Sequence, residues 1–256
     1  METRVRPPAW LWFNLLSLDA PIIALVWQDF LTRCYPTTLL PTGRAVLGLT
    51  VWGIYLADRL LDIRHPASAS ETIRHQFYRE HRTFAQSLFA IVVCVDVALT
   101  ILWLRPAVLD NGLILSGGVV LYLCAFPFTG WSANAWKKPL AALIFTAGIF
   151  LIAWTSAGRQ IGAFALPAAA FCALCLVNLV AIERWSREAE NMNSRRWLWL
   201  LFPAIALVLA QRSPWFIAIA ASAAGLSALA LWGRRISGDA RCVLADALLL
   251  TPLLFR

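Results

Sequence analysis

The sequence predicts an all-α, polytopic membrane protein of about nine transmembrane helices around a central cavity. Two observations carry this. Apolar residues make up 60% of the 256-residue chain and charged residues 14%, against roughly 45–50% and about 25% in a soluble domain. Apolar runs of about 17–25 residues, long enough to cross roughly 30 Å of hydrocarbon, recur along its whole length. The tryptophans agree: Trp10, Trp12, Trp136, Trp197, Trp199, Trp215 and Trp232 fall at run ends, where indole favours the membrane interface.

The predicted spans are 10–30, 44–62, 84–104, 108–127, 138–157, 161–182, 197–211, 214–233 and 240–255. Helix is the state expected for each, because a lipid-facing segment must satisfy its own backbone hydrogen bonds. Trp10 and Trp12 open the first span. Pro36 and Pro41 separate it from the second, and Pro106 marks a very tight turn between the third and fourth. Pro139 stands at the start of the fifth, the seventh is short, and Pro214 opens the eighth. The whole chain, 1–256, reads as one transmembrane domain. No short apolar stretch followed by a small-residue cleavage site is evident at its start.

Charge sets the expected orientation. Sixteen of the 22 Lys and Arg fall on one side: Arg4 and Arg6, five between Arg59 and Arg82, Lys137 and Lys138, four between Arg184 and Arg196, and Arg234, Arg235 and Arg241. Six fall on the other: Arg33, Arg44, Arg105, Arg159, Arg212 and Arg256. The positive-inside rule then puts the amino terminus in the cytoplasm, and the expected location is a bacterial cytoplasmic membrane. The net charge of +8 is spread over short loops, which excludes a nucleic-acid-binding face. The six cysteines form no paired framework, and the Cys172/Cys175 pair sits inside an apolar run without nearby His, as small packing residues do.

Polar chemistry gathers in two inner segments, 63–83 and 183–196, following the second and sixth spans. Asp58 and Asp62 are four residues apart at the end of the second span, so both carboxylates project from one helix face. Such a pair suits Mg²⁺, an oxygen-seeking ion that accompanies polyphosphates; the alternative is an interfacial pair balanced by Arg59 and Arg64. At the end of the sixth span Glu183 and Glu190 lie near one face with Asn178 one turn deeper, and Glu188 is offset. Here the alternative is an acid/base-laced helix end in which Glu183 pairs with Arg187. Lys137 and Lys138 open the fifth span, where they either anchor the helix or supply the positive charge a bound diphosphate needs. Asp19, Asp96 and Asp246 lie within apolar runs and must face the bundle or a wet cavity. His65, His75 and His81 lack metal-ligand spacing and fit a loop or lid. Arg64, Arg74, Asn178, Tyr55, Asp19 and Asp246 are the candidate substrate contacts.

These residues resemble the UbiA superfamily of intramembrane prenyltransferases, as a divergent member. The likeness covers most of the chain in layout: nine helices, a cytoplasmic amino terminus, and acidic motifs following the second and sixth helices. The family's motifs are of the kinds NDxxDxxxD and DxxxD; they bind Mg²⁺ and the diphosphate of an isoprenyl donor, and the loops that follow cap the cavity. Asp58 and Asp62 keep the second half of the first motif, with Ile54 and Tyr55 standing where Asn and Asp would be. The segment FPFTGWSANAWKKPLAALIFTAG is similar to the family's basic stretch entering the fifth helix. Glu183, Glu188 and Glu190 keep the acidity of the second motif without its spacing.

The resemblance implies Mg²⁺-dependent transfer of an isoprenyl group from an allylic diphosphate to a lipophilic acceptor. Asp58 and Asp62, with Glu183 and Glu190, would be the metal ligands, and Lys137 and Lys138 the catalytic cations. Two alternatives share the scaffold: a terpene cyclase, and a lipid-binding or transport protein that holds isoprenoids without turnover.

Overall fold

The computed structural model describes residues 11–35, 37–63, 73–128, 134–157, 162–186, 205 and 213–255. The elements among them are all helical. In chain order they are α1 (Trp12–Leu15), α2 (Asp19–Cys34), α3 (Pro41–Asp62), α4 (Ile73–Glu80), α5 (Arg82–Trp103), α6 (Pro106–Phe128), α7 (Asn134–Ala157), α8 (Ala165–Ser186), α9 (Pro214–Trp232) and α10 (Gly238–Ala247), closed by a 3₁₀ segment (Leu248–Phe255). Pro41, Pro106 and Pro214 each open a helix, where the missing N–H has no intrahelical partner to lose.

Among the described residues, five helices are long and apolar enough to cross a membrane: Arg82–Trp103, Pro106–Cys124, Trp136–Ser156, Gly162–Ser186 and Pro214–Leu231. Ile91, Ile101 and Leu102 of α5 and Leu113, Ile114 and Leu121 of α6 are all more than half exposed. Contiguous apolar surface of that kind needs a lipid or protein cover. The chain is therefore an all-helical, multi-pass membrane protein.

The first predicted span divides. Its helical turn stops at Leu15, Ser17 takes the left-handed region at φ 54°, and α2 begins at Asp19 and runs on to Cys34. Polar contacts hold the break: Asn14 Nδ2 donates to Asp19 Oδ2 at 2.9 Å, Trp52 Nε1 donates to the Leu16 carbonyl at 2.9 Å, and Ser17 Oγ lies 3.1 Å from the Tyr78 hydroxyl. Asp19 also suits its place, since a negative charge is favoured at a helix amino terminus.

Three further boundaries differ from expectation. The polar segment 63–83 contains α4, whose Tyr78 is buried against Leu56, Ala85 and Val92; one aromatic anchor is enough to dock a short helix that hydropathy reads as loop. Helix α7 starts one turn before Pro139, which sits inside it at the loss of one backbone hydrogen bond. The last predicted span is α only to Ala247 and becomes 3₁₀ around Pro252, whose ring prevents an α-helical bond. The seventh predicted span, 197–211, lies outside the described residues apart from Ile205, which is helical.

The core joins α2, α7, α8, α9 and α10 around Trp27, Phe30, Phe150, Phe171 and Trp215. Trp215, placed by sequence at the interface, is instead fully buried, whereas Trp12 and Trp136 are exposed. Trp10, Trp197 and Trp199, and the side chain of Trp232, lie outside the described residues. Cys175 is buried in this core and Cys172 packs against it, as packing residues do. At Gly238 an added Cβ would stand 2.6 Å from the Trp185 carbonyl oxygen, so only glycine lets α10 come this close to the end of α8.

Candidate functional site

Helix α5 packs along α3 and α6 along α7, and a cavity of about 980 Å³ occupies the space between these two pairs. Its walls are largely apolar: Leu47, Val51, Val97, Ile101, Leu109, Leu113, Phe145 and Ile152 line it. It extends along α3 from Gly43 to Asp62, 15 residues to Asp58 alone, or roughly 22 Å at the helical rise. One end is strongly charged.

At that end Asp58 and Asp62 project from the last turn and a half of α3, as their i, i+4 spacing requires. Both aim at a single cation. Lys137 Nζ lies 3.2 Å from Asp58 Oδ1 and 3.5 Å from Asp62 Oδ1, while Arg59 Nη1 lies 3.6 Å from Asp62 Oδ2. Next to it, Lys138 is ion-paired with Glu183 from α8. The two lysines at the start of α7 thus link the carboxylates of α3 to that of α8, and all five side chains line the same cavity. Tyr55 and Tyr122 also line it.

The arrangement is self-neutralised and partly open to solvent; Asp58, Asp62, Lys137, Lys138 and Glu183 keep 24–31% of their side-chain surface exposed. Chemically, it can bind an anion on the lysines once they leave the carboxylates, and a divalent cation on the carboxylates at the same time. The donor set fits Mg²⁺, which takes one or two carboxylates together with phosphate oxygens rather than a complete protein cage. Among the described residues, no three His, Cys, Asp or Glu side chains form a metal-holding group, so phosphate would have to complete the shell.

The other sequence candidates divide between the cavity lining and polar contacts outside it. Asn178 Nδ2 donates to Asp246 Oδ1 at 3.0 Å, joining α8 to α10. Asp19 and Asp246 are electrostatic neighbours of Tyr55; Tyr55 lines the cavity, and the two aspartates do not. Asp96 lines the cavity and accepts from Thr50 Oγ1 at 2.7 Å. His81 stacks on Phe77, with ring centroids 4.7 Å apart, at the junction of α4 and α5. Arg64, His65, Glu188 and Glu190, and the side chains of Arg74 and His75, lie outside the described residues.

Sequence reasoning passed over Gln28, an uncharged amide inside an apolar run that the structure puts in the cavity wall. Its signal was available: an amide in the middle of a membrane-length run needs a partner as surely as a carboxylate does. Comparison of the chain with models of protein families, with curated proteins and with solved structures finds no match.

Proposed function

We propose that the protein transfers an isoprenyl group from an allylic diphosphate to a lipophilic acceptor within the membrane, as a divergent UbiA-like prenyltransferase of nine spans. The observation that supports this reading most is the convergence of Asp58, Asp62, Lys137, Lys138 and Glu183 at one end of a long apolar cavity. A prenyl diphosphate has the same polarity, with a multiply charged head and a hydrocarbon tail.

In this reading the diphosphate binds Lys137 and Lys138, whose long flexible stems let the ammonium groups turn from carboxylate to phosphate. Mg²⁺ held by Asp58 and Asp62, and on the facing side by Glu183 and Glu190, with phosphate oxygens completing each shell, would offset the charge of the leaving diphosphate. The allylic C–O bond breaks and its electron pair departs with the diphosphate. The acceptor's electron pair forms the new carbon–carbon bond, and the acceptor then loses its proton. Apolar walls keep water from the allylic cation. Arg64 and Arg74 would supply further positive charge to the diphosphate, and Tyr55, Asn178, Asp19 and Asp246 would be the remaining substrate contacts.

Purified protein in nanodiscs should release diphosphate from one of a series of prenyl diphosphates when Mg²⁺ and a lipophilic aromatic acceptor are supplied. Release without an acceptor, with a cyclised product, would indicate cyclase chemistry instead. The ion pairs themselves favour a second reading, in which Lys137 stays on Asp58 and Asp62 and the protein holds isoprenoids without turnover; tight binding with no diphosphate release is its signature.

The orientation proposed with this function puts the charged end of the cavity in the cytoplasm of a bacterium. With the native cysteines replaced, Ser68→Cys should react with a membrane-impermeant maleimide only after the cell is opened, and Thr38→Cys should react in intact cells. The reverse pattern would invert the topology.

A further inference from the structure

We propose that the cavity has a second recognition point, at Gln28, which receives a hydroxyl group carried on the tail of the bound lipid; this rests on the reading that the charged end holds the lipid's phosphate. Gln28 is 1% exposed and lines the cavity, yet among the described residues neither Oε1 nor Nε2 has a hydrogen-bond partner. In hydrocarbon such a group has no solvent to fall back on. A pure hydrocarbon tail satisfies neither atom, and a ketone satisfies only the N–H. A hydroxyl satisfies both, donating to Oε1 and accepting from Nε2.

The surroundings point the same way. Asp96, which also lines the cavity, has Oδ1 buried without a partner among the described residues although Thr50 serves its Oδ2. A wall meant only for isoprene units has no use for these groups.

Helix pairing places the point. Asp29 is ion-paired with Arg44, so Gln28 lies about level with the first turns of α3. Asp58 is 14 residues further along that helix than Arg44, about 21 Å away. The ligand class is therefore an amphiphile with a phosphate head and a hydroxyl about 20 Å down its tail. A hydrocarbon-tailed phosphate is predicted to be the poorer occupant.

The test uses the full chain in nanodiscs and two probe series, alkyl phosphates and ω-hydroxyalkyl phosphates of matched lengths. In the wild type, affinity for the hydroxy series should peak at one length and there exceed the plain phosphate by about 3–10-fold, the worth of one to two hydrogen bonds. Gln28→Leu and Gln28→Met, which remove both unpaired atoms at similar volume, should abolish that preference by bringing the hydroxy series down to the plain series measured in the same variant. Equal binding of the two series, a preference without a length optimum, or a preference that survives both substitutions would overturn the inference, and water would then be the partner of Gln28. Diphosphate release is read separately. A hydroxyl preference without turnover removes only the transferase reading, and turnover without a preference removes only this one.

Discussion

Asp58→Ala and Asp62→Ala are each expected to lower diphosphate release by at least about 10²-fold, the usual loss when one charge-stabilising group is removed from a reacting centre. The same variants should fold nearly as well as the wild type. Lys137 contacts both carboxylates, so removing one leaves the ammonium paired with the other and no buried charge is orphaned. With side chains about a quarter to a third exposed, such a pair contributes only about 0–1 kcal/mol. A large loss of turnover with little loss of melting temperature therefore separates a reacting site from a helix-end ion pair. Lys137→Met supplies the complementary reading. It leaves Asp58 without the cation it shares with Asp62, whose remaining partner is Arg59, and should weaken phosphate binding most. Near-normal turnover in both aspartate variants would leave the charged end with a structural role alone.

The sequence carried the helices and the charged residues well because both follow from local rules. A carboxylate pair four residues apart shares a helix face wherever the helix is placed, and Asp58 and Asp62 do so. Proline at Pro41, Pro106 and Pro214 marks helix starts for reasons of backbone chemistry alone. What depends on neighbouring helices was not legible. Hydropathy cannot tell an indole facing lipid from one facing other aromatic rings, which is why the run-end position of Trp215 points to the interface although the ring is buried. Nor can it see that Tyr78 would bury itself and draw α4 out of a polar segment. Gln28 shows a third limit: a single uncharged amide barely changes the mean hydropathy of its run, although its hydrogen-bonding demand in the bilayer is large.

The candidate site divides along the same line. Residue types and spacing indicated that α3 and α8 end in acidic groups, and that two lysines begin α7. Sequence did not indicate that Lys137 would serve the aspartates and Lys138 the glutamate. That assignment depends on how α7 is wedged between the other two helices, and it changes the chemistry: the carboxylates are already neutralised before any ligand arrives. A phosphate that binds must therefore exchange partners with the lysines, so its affinity reflects a difference between two sets of ion pairs rather than the strength of one. This makes the charged end more sensitive to ionic strength in its on-rate than in its final affinity, because steering acts at long range while the exchange is local.

Trp215→Ala is expected to be the most destabilising single substitution outside the site. The indole is fully buried, with ring centroids 5.0 Å from Trp27, 5.5 Å from Phe150 and 6.0 Å from both Phe30 and Phe171. Its Nε1 donates to the Pro167 carbonyl at 3.2 Å. Truncation therefore leaves a void where α2, α7, α8 and α9 meet. Emptying a buried aromatic position costs about 3–5 kcal/mol in packed cores, and packing is the main force between helices once water no longer drives them together. For a chain of this size that corresponds to a fall in melting temperature on the order of 10 °C, measured in detergent or nanodiscs. Trp215→Phe should recover much of the loss by refilling the ring contacts, lacking only the hydrogen bond to Pro167. Trp136 is the internal control. It is 71% exposed at the start of α7, so Trp136→Ala should shift the melting temperature little, since its ring has few protein neighbours to lose. If the two alanine variants melted together, close to the wild type, Trp215 would be facing lipid after all and the helices around it would have to be packed differently.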